Sequence, residues 1–177
     1  MKNRLLILSD LWGITGASWV SMYVNRLSDN FKVVLYNSCE LAEMPQKYLL
    51  EAQRHAFFLN EGIEKAVENL IKLEKEQLTV LAFSIGGTIA WEACLNGLDV
   101  KSFYAISSTR LRYETERPKG KIALYYGGKD VYKPSEDWFE NIKLTPSIIP
   151  QKAHEMYKEE DFVSKLCLQI NKSYEIV

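Results

Sequence analysis

A serine stands where a buried strand is expected to turn directly into a helix. Residues 79–83 are mostly apolar, Ser84 follows them, and Gly86 and Gly87 come next. A serine with small residues two positions before and after it is typical of a sharp, strained strand-to-helix turn that lifts the hydroxyl out of the sheet. Ala82 and Gly86 are those small neighbours here. The pattern predicts that Ser84 is a nucleophile, although a serine that only caps the helix would show the same residues.

A serine nucleophile needs a base, and the chain contains two histidines. His154 lies in a polar stretch between the last expected strand and the final helix. His55 lies in an apolar segment with helical character. Because catalytic side chains are commonly carried by loops on a rigid scaffold, we predict that His154 is the base. We expect His55 to be a packed or surface residue.

An aspartate follows another apolar strand in the same way. Residues 122–126 are apolar or aromatic, Gly127 and Gly128 make a turn, and Asp130 stands where the chain leaves the sheet. The order Ser84, Asp130, His154, each after the carboxyl end of a successive strand, predicts a catalytic triad in which the aspartate orients the histidine. The alternative is an aspartate that caps its own turn.

The elements that must position these residues alternate along the chain. The expected strands are Leu5–Ser9, Lys32–Tyr36, Leu78–Phe83, Val100–Ile106, Lys121–Tyr126 and Ser147–Ile149. Apolar residues recur at helical spacing in three groups: Val20, Val24, Leu27 and Phe31; Ile63, Ala66, Val67, Leu70 and Ile71; Phe162, Val163, Leu166, Cys167 and Ile170. A further helix is expected from Ser84 to the cap signal Asn96-Gly97. This pattern predicts one α/β domain over residues 1–177, with a mainly parallel sheet of about six strands, helices on both faces and no lid domain.

Composition excludes several classes of function. The net charge is −1, which disfavours a dedicated nucleic-acid binder. Cys39, Cys94 and Cys167 lie far apart, so neither a disulfide framework nor a metal site is expected. The longest uncharged apolar-rich stretch covers residues 78–91, which is shorter than the roughly 18 residues of a membrane span. We therefore expect a cytoplasmic protein with no membrane partner and no nucleic-acid partner.

With these motifs the chain resembles the α/β-hydrolases over its whole length, in a compact form. The resemblance implies cleavage of a carboxylic ester or thioester through an acyl-enzyme, with no cofactor and no metal. It also implies that two backbone N–H groups hold the oxyanion, those of Ile85 and of Trp12. The segment Ser9–Gly13 stands where the family has a His-Gly loop, but Asp10-Leu11 replaces His-Gly, so the Leu11 N–H is the alternative donor. The run Gly127–Pro134 resembles the family's acid loop.

A narrower similarity is to the lidless pimeloyl-carrier-protein methyl esterases. It rests on Trp12-Gly13, on Phe83–Gly86 and on the segment 96–102. Those enzymes have more sequence where this chain has residues 107–120, which argues against the same substrate. The expected substrate is a small-molecule or carrier-bound acyl ester with a short or medium chain.

The expected cover of the site comes from residues 37–60. We predict that one apolar helical face lies over the site, formed by Tyr48, Leu49, Ala52, Ala56 and Leu59. At the rim, Arg110 and Arg112 are candidates for holding a carboxylate or a carrier phosphate. The alternative is a solvated loop in which Glu114 and Glu116 balance the arginines.

Two other classes of function remain open from the sequence. One is a non-catalytic α/β-hydrolase-like binding protein, which Ala82 and the missing His-Gly leave open. The other is a flavodoxin-like phosphate binder that uses Gly86-Gly87 at a helix N-terminus, although this leaves Asp130 and His154 without a role. The sequence does not determine the oligomeric state.

Overall fold

The fold is built on one sheet of six parallel strands. The computed structural model describes residues 2–48 and 50–175. The strands are β1 (Asn3–Leu8), β2 (Phe31–Tyr36), β3 (Leu78–Phe83), β4 (Val100–Ile106), β5 (Lys121–Gly127) and β6 (Ser147–Ile149). These bounds confirm the six predicted strands to within two residues at each end.

Seven α-helices and three other helical segments connect the strands within the described residues. The helices are α1 (Ser18–Leu27), α2 (Ser38–Leu41), α3 (Glu51–Phe57), α4 (Ile63–Leu73), α5 (Ile85–Leu95), α6 (Glu136–Ile142) and α7 (Glu160–Glu175). A π-helical segment, Phe58–Gly62, joins α3 to α4, and 3₁₀ segments lie at Thr109–Tyr113 and His154–Lys158. Within these described residues, every helix is too short or too polar to cross a lipid bilayer.

The strand order places the site. The order across the sheet is β2-β1-β3-β4-β5-β6, so the chain first moves outward from β1 to β2 and then crosses back to β3. In an open parallel sheet, ligands bind outside the carboxyl ends of the strands at such a reversal. Here the reversal lies between β1, which leads into Asp10, and β3, which leads into Ser84.

The central strands contribute side chains to two hydrophobic cores, one on each face of the sheet, because successive side chains point to opposite faces. Leu6, Leu8, Val80 and Ala82 pack on one face with α4, α5 and α6. Leu5, Ile7, Leu81 and Phe83 pack on the other face with α1 and α7. The predicted apolar stripe of α7 is buried throughout, which confirms helices on both faces of the sheet.

The prediction that Phe31 continues the helical pattern of Val20, Val24 and Leu27 is wrong. Helix α1 ends at Leu27, and Phe31 is the first residue of β2. The polar run Ser28-Asp29-Asn30 ends the helix: the Ser28 hydroxyl donates to the Val24 carbonyl, and the Asn30 N–H donates to the Leu27 carbonyl. Phe31 is nevertheless buried in the same core as α1, which is why its spacing matched.

The predicted apolar cover is also wrong. Leu49 lies outside the described residues, Tyr48 precedes α3, and Ala52, Ala56 and Leu59 are exposed. The face that packs contains Phe57 and Phe58 instead, because two aromatic rings bury more apolar area than two alanines and a leucine. The rotation of α3 is therefore set by its C-terminal aromatic residues.

Candidate active site

Ser84 occupies a strained turn between β3 and α5. Its backbone angles are φ 50° and ψ −118°, a region that non-glycine residues rarely adopt. Its N–H donates to the Ile106 carbonyl at 2.8 Å, which fixes the turn against the end of β4. The geometry is that of a nucleophile elbow, with a half-buried serine hydroxyl at the carboxyl edge of the sheet.

Neighbouring strand ends explain the glycines after Ser84. A Cβ atom at Gly86 would overlap the Ser9 carbonyl oxygen at the end of β1. A Cβ atom at Gly87 would overlap the Ser108 side chain beyond β4. The first turn of α5 is therefore packed directly against two strand ends, and the helix N-terminus lies beside the loop that follows β1.

The structure brings the three predicted triad side chains together. Ser84 Oγ lies 3.1 Å from His154 Nε2, and His154 Nδ1 lies 2.7 Å from Asp130 Oδ2. With Nδ1–H donating to the carboxylate, Nε2 is left to accept the serine proton. The Asp130 side chain is buried, whereas about a third of the His154 side chain is exposed, at 35%. The histidine can therefore exchange protons with a bound substrate.

The Asp130 carboxylate is held as an anion. Burial opposes its ionisation, but hydrogen bonds from His154 and from the Tyr132 N–H outweigh burial and hold the pKa of this carboxyl below its usual value. An ionised Asp130 fixes the histidine tautomer and stabilises the imidazolium that forms when His154 takes a proton. Asp137, the nearest other aspartate along the chain, lies exposed in the first turn of α6.

The loop that carries His154 is fixed by contacts the sequence did not reveal. Ser107 has φ 51°, is buried, and donates its hydroxyl to the His154 carbonyl at 2.6 Å. A Cβ atom at Gly127 would overlap the carbonyl oxygens of Lys152 and Ala153, so this loop crosses directly over the end of β5. The only sequence signal for Ser107 is its position just after a strand.

The two predicted oxyanion donors are placed differently. Among the described residues, the N–H of Ile85 has no acceptor, so it is free to meet a substrate oxygen. The Trp12 N–H already donates to Asp10 Oδ1 at 2.9 Å. The structure therefore argues against Trp12 as donor. The Leu11 N–H, the predicted alternative, has no acceptor in the described part of the chain.

Arg54, which the sequence analysis did not single out, contacts the turn at Asp10–Gly13. Its Nη1 lies 3.3 Å from the Leu11 carbonyl and 3.4 Å from the Trp12 carbonyl, and its guanidinium lies 5.1 Å from the centre of the Trp12 ring. Helix α3 thus reaches the site through a cation rather than an apolar face. His55, the next residue, is exposed.

Arg110 and Arg112 are engaged within their own loop. The Arg112 Nη1 donates to the carbonyls of Thr109 and Tyr132, which ties the 109–113 segment to the residues after Asp130. Both guanidiniums lie over the Tyr113 ring. Burial raises the pKa of the Glu114 carboxyl, and the charge of Arg110 offsets this rise only in part. These contacts agree with a balanced surface loop.

The cysteines are poor alternative nucleophiles. Burial raises the pKa of the Cys94 thiol and of the Cys167 thiol to about 12, so little thiolate exists at neutral pH. Cys39 lies beside the site, and burial raises the pKa of its thiol despite the nearby Arg54. Among the residues that the structure describes, no three His, Cys, Asp or Glu side chains form a cluster that could hold a metal ion.

Comparisons with solved structures identify the fold. A predicted CIB-like hydrolase from Thermoplasma acidophilum aligns with a TM-score of 0.69 and 18% identity, covering 96% of this chain and 86% of that one. A dienelactone hydrolase from Anabaena variabilis aligns with a TM-score of 0.65 and 13% identity over 97% and 85%. Est1E from Butyrivibrio proteoclasticus, with ferulic acid bound, aligns with a TM-score of 0.64 and 11% identity over 98% and 88%. The chain has the α/β-hydrolase fold.

Sequence comparisons add nothing further. No family model matches the chain, and no curated protein matches it.

Proposed function

We propose that this protein is a serine hydrolase that cleaves a carboxylic ester or thioester through an acyl-enzyme on Ser84. The observation that carries the proposal is the continuous chain from Asp130 through His154 to Ser84, with distances of 2.7 Å and 3.1 Å. A helix cap would not need a buried carboxylate and an oriented imidazole beside its serine. The likeness to structures named as a predicted CIB-like hydrolase and a dienelactone hydrolase supports the same chemistry.

The proposed first half-reaction forms the acyl-enzyme. His154 Nε2 takes the proton of Ser84 Oγ as that oxygen attacks the acyl carbon. The carbonyl oxygen becomes an oxyanion, which the N–H groups of Ile85 and Leu11 stabilise. One such donor contributes about 3 kcal/mol to transition-state stabilisation in serine proteases. The bond to the leaving group then breaks, and the alcohol or thiol leaves with the proton from His154.

The proposed second half-reaction releases the acid. A water molecule gives a proton to His154 Nε2 and attacks the acyl carbon, and the bond to Ser84 Oγ breaks. The serine oxygen regains its proton from the imidazolium, and a carboxylic acid leaves. Asp130 remains ionised throughout because its hydrogen bonds favour the carboxylate form.

The site is open, which supports small or externally presented acyl groups. Trp12 is 42% exposed beside the Asp10–Gly13 turn, and Tyr132 is 65% exposed beside Asp130. A cavity of about 430 Å³ lies instead beside α2 and α4, lined by residues that include Glu43, Phe57 and Glu64, and none of the triad residues lines it. We therefore expect an acyl chain at Ser84 to bury little apolar area, and each Å² left exposed forgoes about 25 cal/mol.

Pre-steady-state hydrolysis of p-nitrophenyl acetate tests the proposal. We expect a burst of p-nitrophenol equal to the enzyme concentration, followed by turnover, because acylation by this activated ester should be faster than deacylation and the acyl-enzyme should accumulate. The Ser84→Ala variant should give neither burst nor turnover. A folded wild-type protein that gives no burst and no turnover with acetate, butyrate or thioester substrates would instead support the non-catalytic binding protein.

A further inference from the structure

We propose that Asp10 is a positioning residue that holds the turn Asp10–Gly13, called the oxyanion turn below, and ties it to the segment that carries His154. The proposal rests on the proposed function, since it concerns the Leu11 N–H of the same site. Asp10 follows β1 at the point where the sheet order reverses, and it is 1% exposed. In this sequence it stands beside Leu11 where a His-Gly pair is expected, so its side chain has a different set of partners to hold.

Hydrogen bonds hold the backbone of the oxyanion turn. The Asp10 carbonyl accepts the Gly13 N–H at 3.2 Å, and Asp10 Oδ1 accepts the Trp12 N–H at 2.9 Å. The Leu11 carbonyl lies 3.3 Å from Arg54 Nη1 and accepts the Cys39 thiol at 3.3 Å. The peptide between Leu11 and Trp12 is therefore held at both its N–H and its C=O. It cannot rotate without breaking these bonds, which leaves the preceding N–H, that of Leu11, as the free donor.

The second carboxylate oxygen of Asp10 contacts the segment that carries His154. Asp10 Oδ2 accepts the Tyr157 hydroxyl at 3.0 Å. Tyr157 is buried, its carbonyl accepts the Tyr23 hydroxyl at 2.8 Å, and its ring lies 5.3 Å from that of Phe83. Phe83 directly precedes Ser84, and Tyr157 shares one 3₁₀ segment with His154. The carboxylate thus joins the oxyanion turn to a residue whose ring packs against Phe83 and lies 6.2 Å from the His154 ring.

The two oxygens of the Asp10 carboxylate are used in the same way as those of Asp130. That residue uses Oδ1 to accept the Tyr132 N–H two residues later, and it uses Oδ2 to contact His154. Asp10 repeats both features with Trp12 and Tyr157. The segment His154–Lys158 is consequently held by a buried carboxylate near each end, one that contacts the base directly and one that contacts the oxyanion turn.

The test compares kcat per active site, with active sites counted by reaction with a fluorophosphonate. We expect Asp10→Ala to lower kcat about 10²-fold, since the donor that it orients acts mainly in the transition state, and to change KM by less than about threefold. Binding of a boronic acid that forms a tetrahedral adduct should weaken by a similar factor. We expect Asp10→Asn to stay within about fivefold of wild type. Its Oδ1 still accepts the Trp12 N–H, and its Nδ2–H can donate to the Tyr157 oxygen in place of the bond that the carboxylate accepts.

Glu74→Gln is the matched control. Glu74 is also a buried carboxylate that accepts a tyrosine hydroxyl, from Tyr36, but it pairs with Arg4 at the amino-terminal half of β1. The Glu74→Gln variant should be less stable than wild type but should keep the wild-type kcat per active site. Wild-type kcat in Asp10→Ala, or equal losses in Asp10→Ala and Asp10→Asn, would overturn the positioning role. A wild-type protein that neither reacts with the fluorophosphonate nor turns over would overturn the proposed function itself.

Discussion

The hydroxyl of Tyr157 donates a hydrogen bond to the carboxylate of Asp10 at 3.0 Å, although 147 positions separate the two residues in the chain. This bond closes the site between its first and last loops. Asp10 follows β1, and Tyr157 lies in the segment between β6 and α7. The oxyanion turn and the histidine are thereby held relative to each other by a buried hydrogen bond.

The base can be identified by comparing the two histidines. We expect His154→Ala to lower kcat nearly as much as Ser84→Ala, by about 10³-fold or more, because residues of a triad act as one unit. His55→Ala is the matched control, since His55 is exposed and should change the rate little. Rates of p-nitrophenyl acetate hydrolysis measure both effects. A large loss in His55→Ala with a near-normal His154→Ala would reverse the assignment.

The acid of the triad can be separated from its neighbour in the same way. Asp130→Asn should fold and still lose on the order of 10³–10⁴ in kcat, because an amide favours the wrong histidine tautomer. Asp137→Asn, an exposed change in the first turn of α6, should leave kcat unchanged. If Asp137→Asn were the damaging variant and Asp130→Asn were silent, the proposed triad would be wrong.

The oxyanion donor can be removed by a proline. Leu11 occupies the second position of the turn from Asp10 to Gly13, a position that proline favours, and proline has no N–H. We expect Leu11→Pro to lower kcat by about 10²–10³-fold with KM little changed. Leu11→Ala, which keeps the N–H, is the control and should retain most activity. A normal kcat in Leu11→Pro would show that the Leu11 N–H does not stabilise the oxyanion and that another N–H does.

The pH dependence of stability tests the charge on Asp10. Burial raises the pKa of this carboxyl above its ordinary value of 3.8. The bonds from Trp12 and Tyr157 and the charge of Lys158, 3.8 Å away, offset burial only in part. Between the ordinary and the raised value the folded state binds more protons, so the ionised carboxylate costs stability above that window. Asp10→Asn should therefore melt at a higher temperature than wild type at pH 7, and the difference should shrink as pH falls through the window. A lower melting temperature for Asp10→Asn at pH 7 would contradict this sign.

The open site predicts a preference among acyl chains. We expect kcat/KM for p-nitrophenyl esters to peak at short or medium chains, because the exposed rim offers little apolar wall. A kcat/KM that rises steadily up to acyl chains of sixteen carbons would require a deep tunnel and would contradict an open site.

The two rim arginines are tested separately. The Arg110→Ala, Arg112→Ala double variant should loosen the loop held by Thr109 and Tyr132 without changing the ratio of kcat/KM for anionic esters to that for neutral esters. A changed preference would restore the predicted anion-binding role.

The positions of residues that depend on local sequence were predictable. Ser84 and Asp130 each follow an apolar strand and are surrounded by the small residues that a sharp turn requires, so their positions follow from a few neighbours. His154 could be selected because the chain has only one other histidine, in a segment of different character.

Residues whose role depends on distant partners were not predictable. Trp12 was the expected donor, but its N–H is taken by the Asp10 side chain, whose direction depends on Tyr157 at the far end of the chain. Arg54 contacts the turn because Phe57 and Phe58 set the rotation of α3, and periodicity alone did not distinguish that face from the alanine face. Side-chain competition for hydrogen bonds is decided by packing, which a single sequence does not display.

The most direct test of the central claim is reaction with a fluorophosphonate, followed by intact-mass and peptide analysis. The account predicts one adduct per chain, located on Ser84, and none in the Ser84→Ala variant. It also predicts much slower labelling of His154→Ala, because Ser84 Oγ then lacks its base. No adduct on the folded wild-type protein, or an undiminished adduct in Ser84→Ala, would contradict the claim that Ser84 is an activated nucleophile.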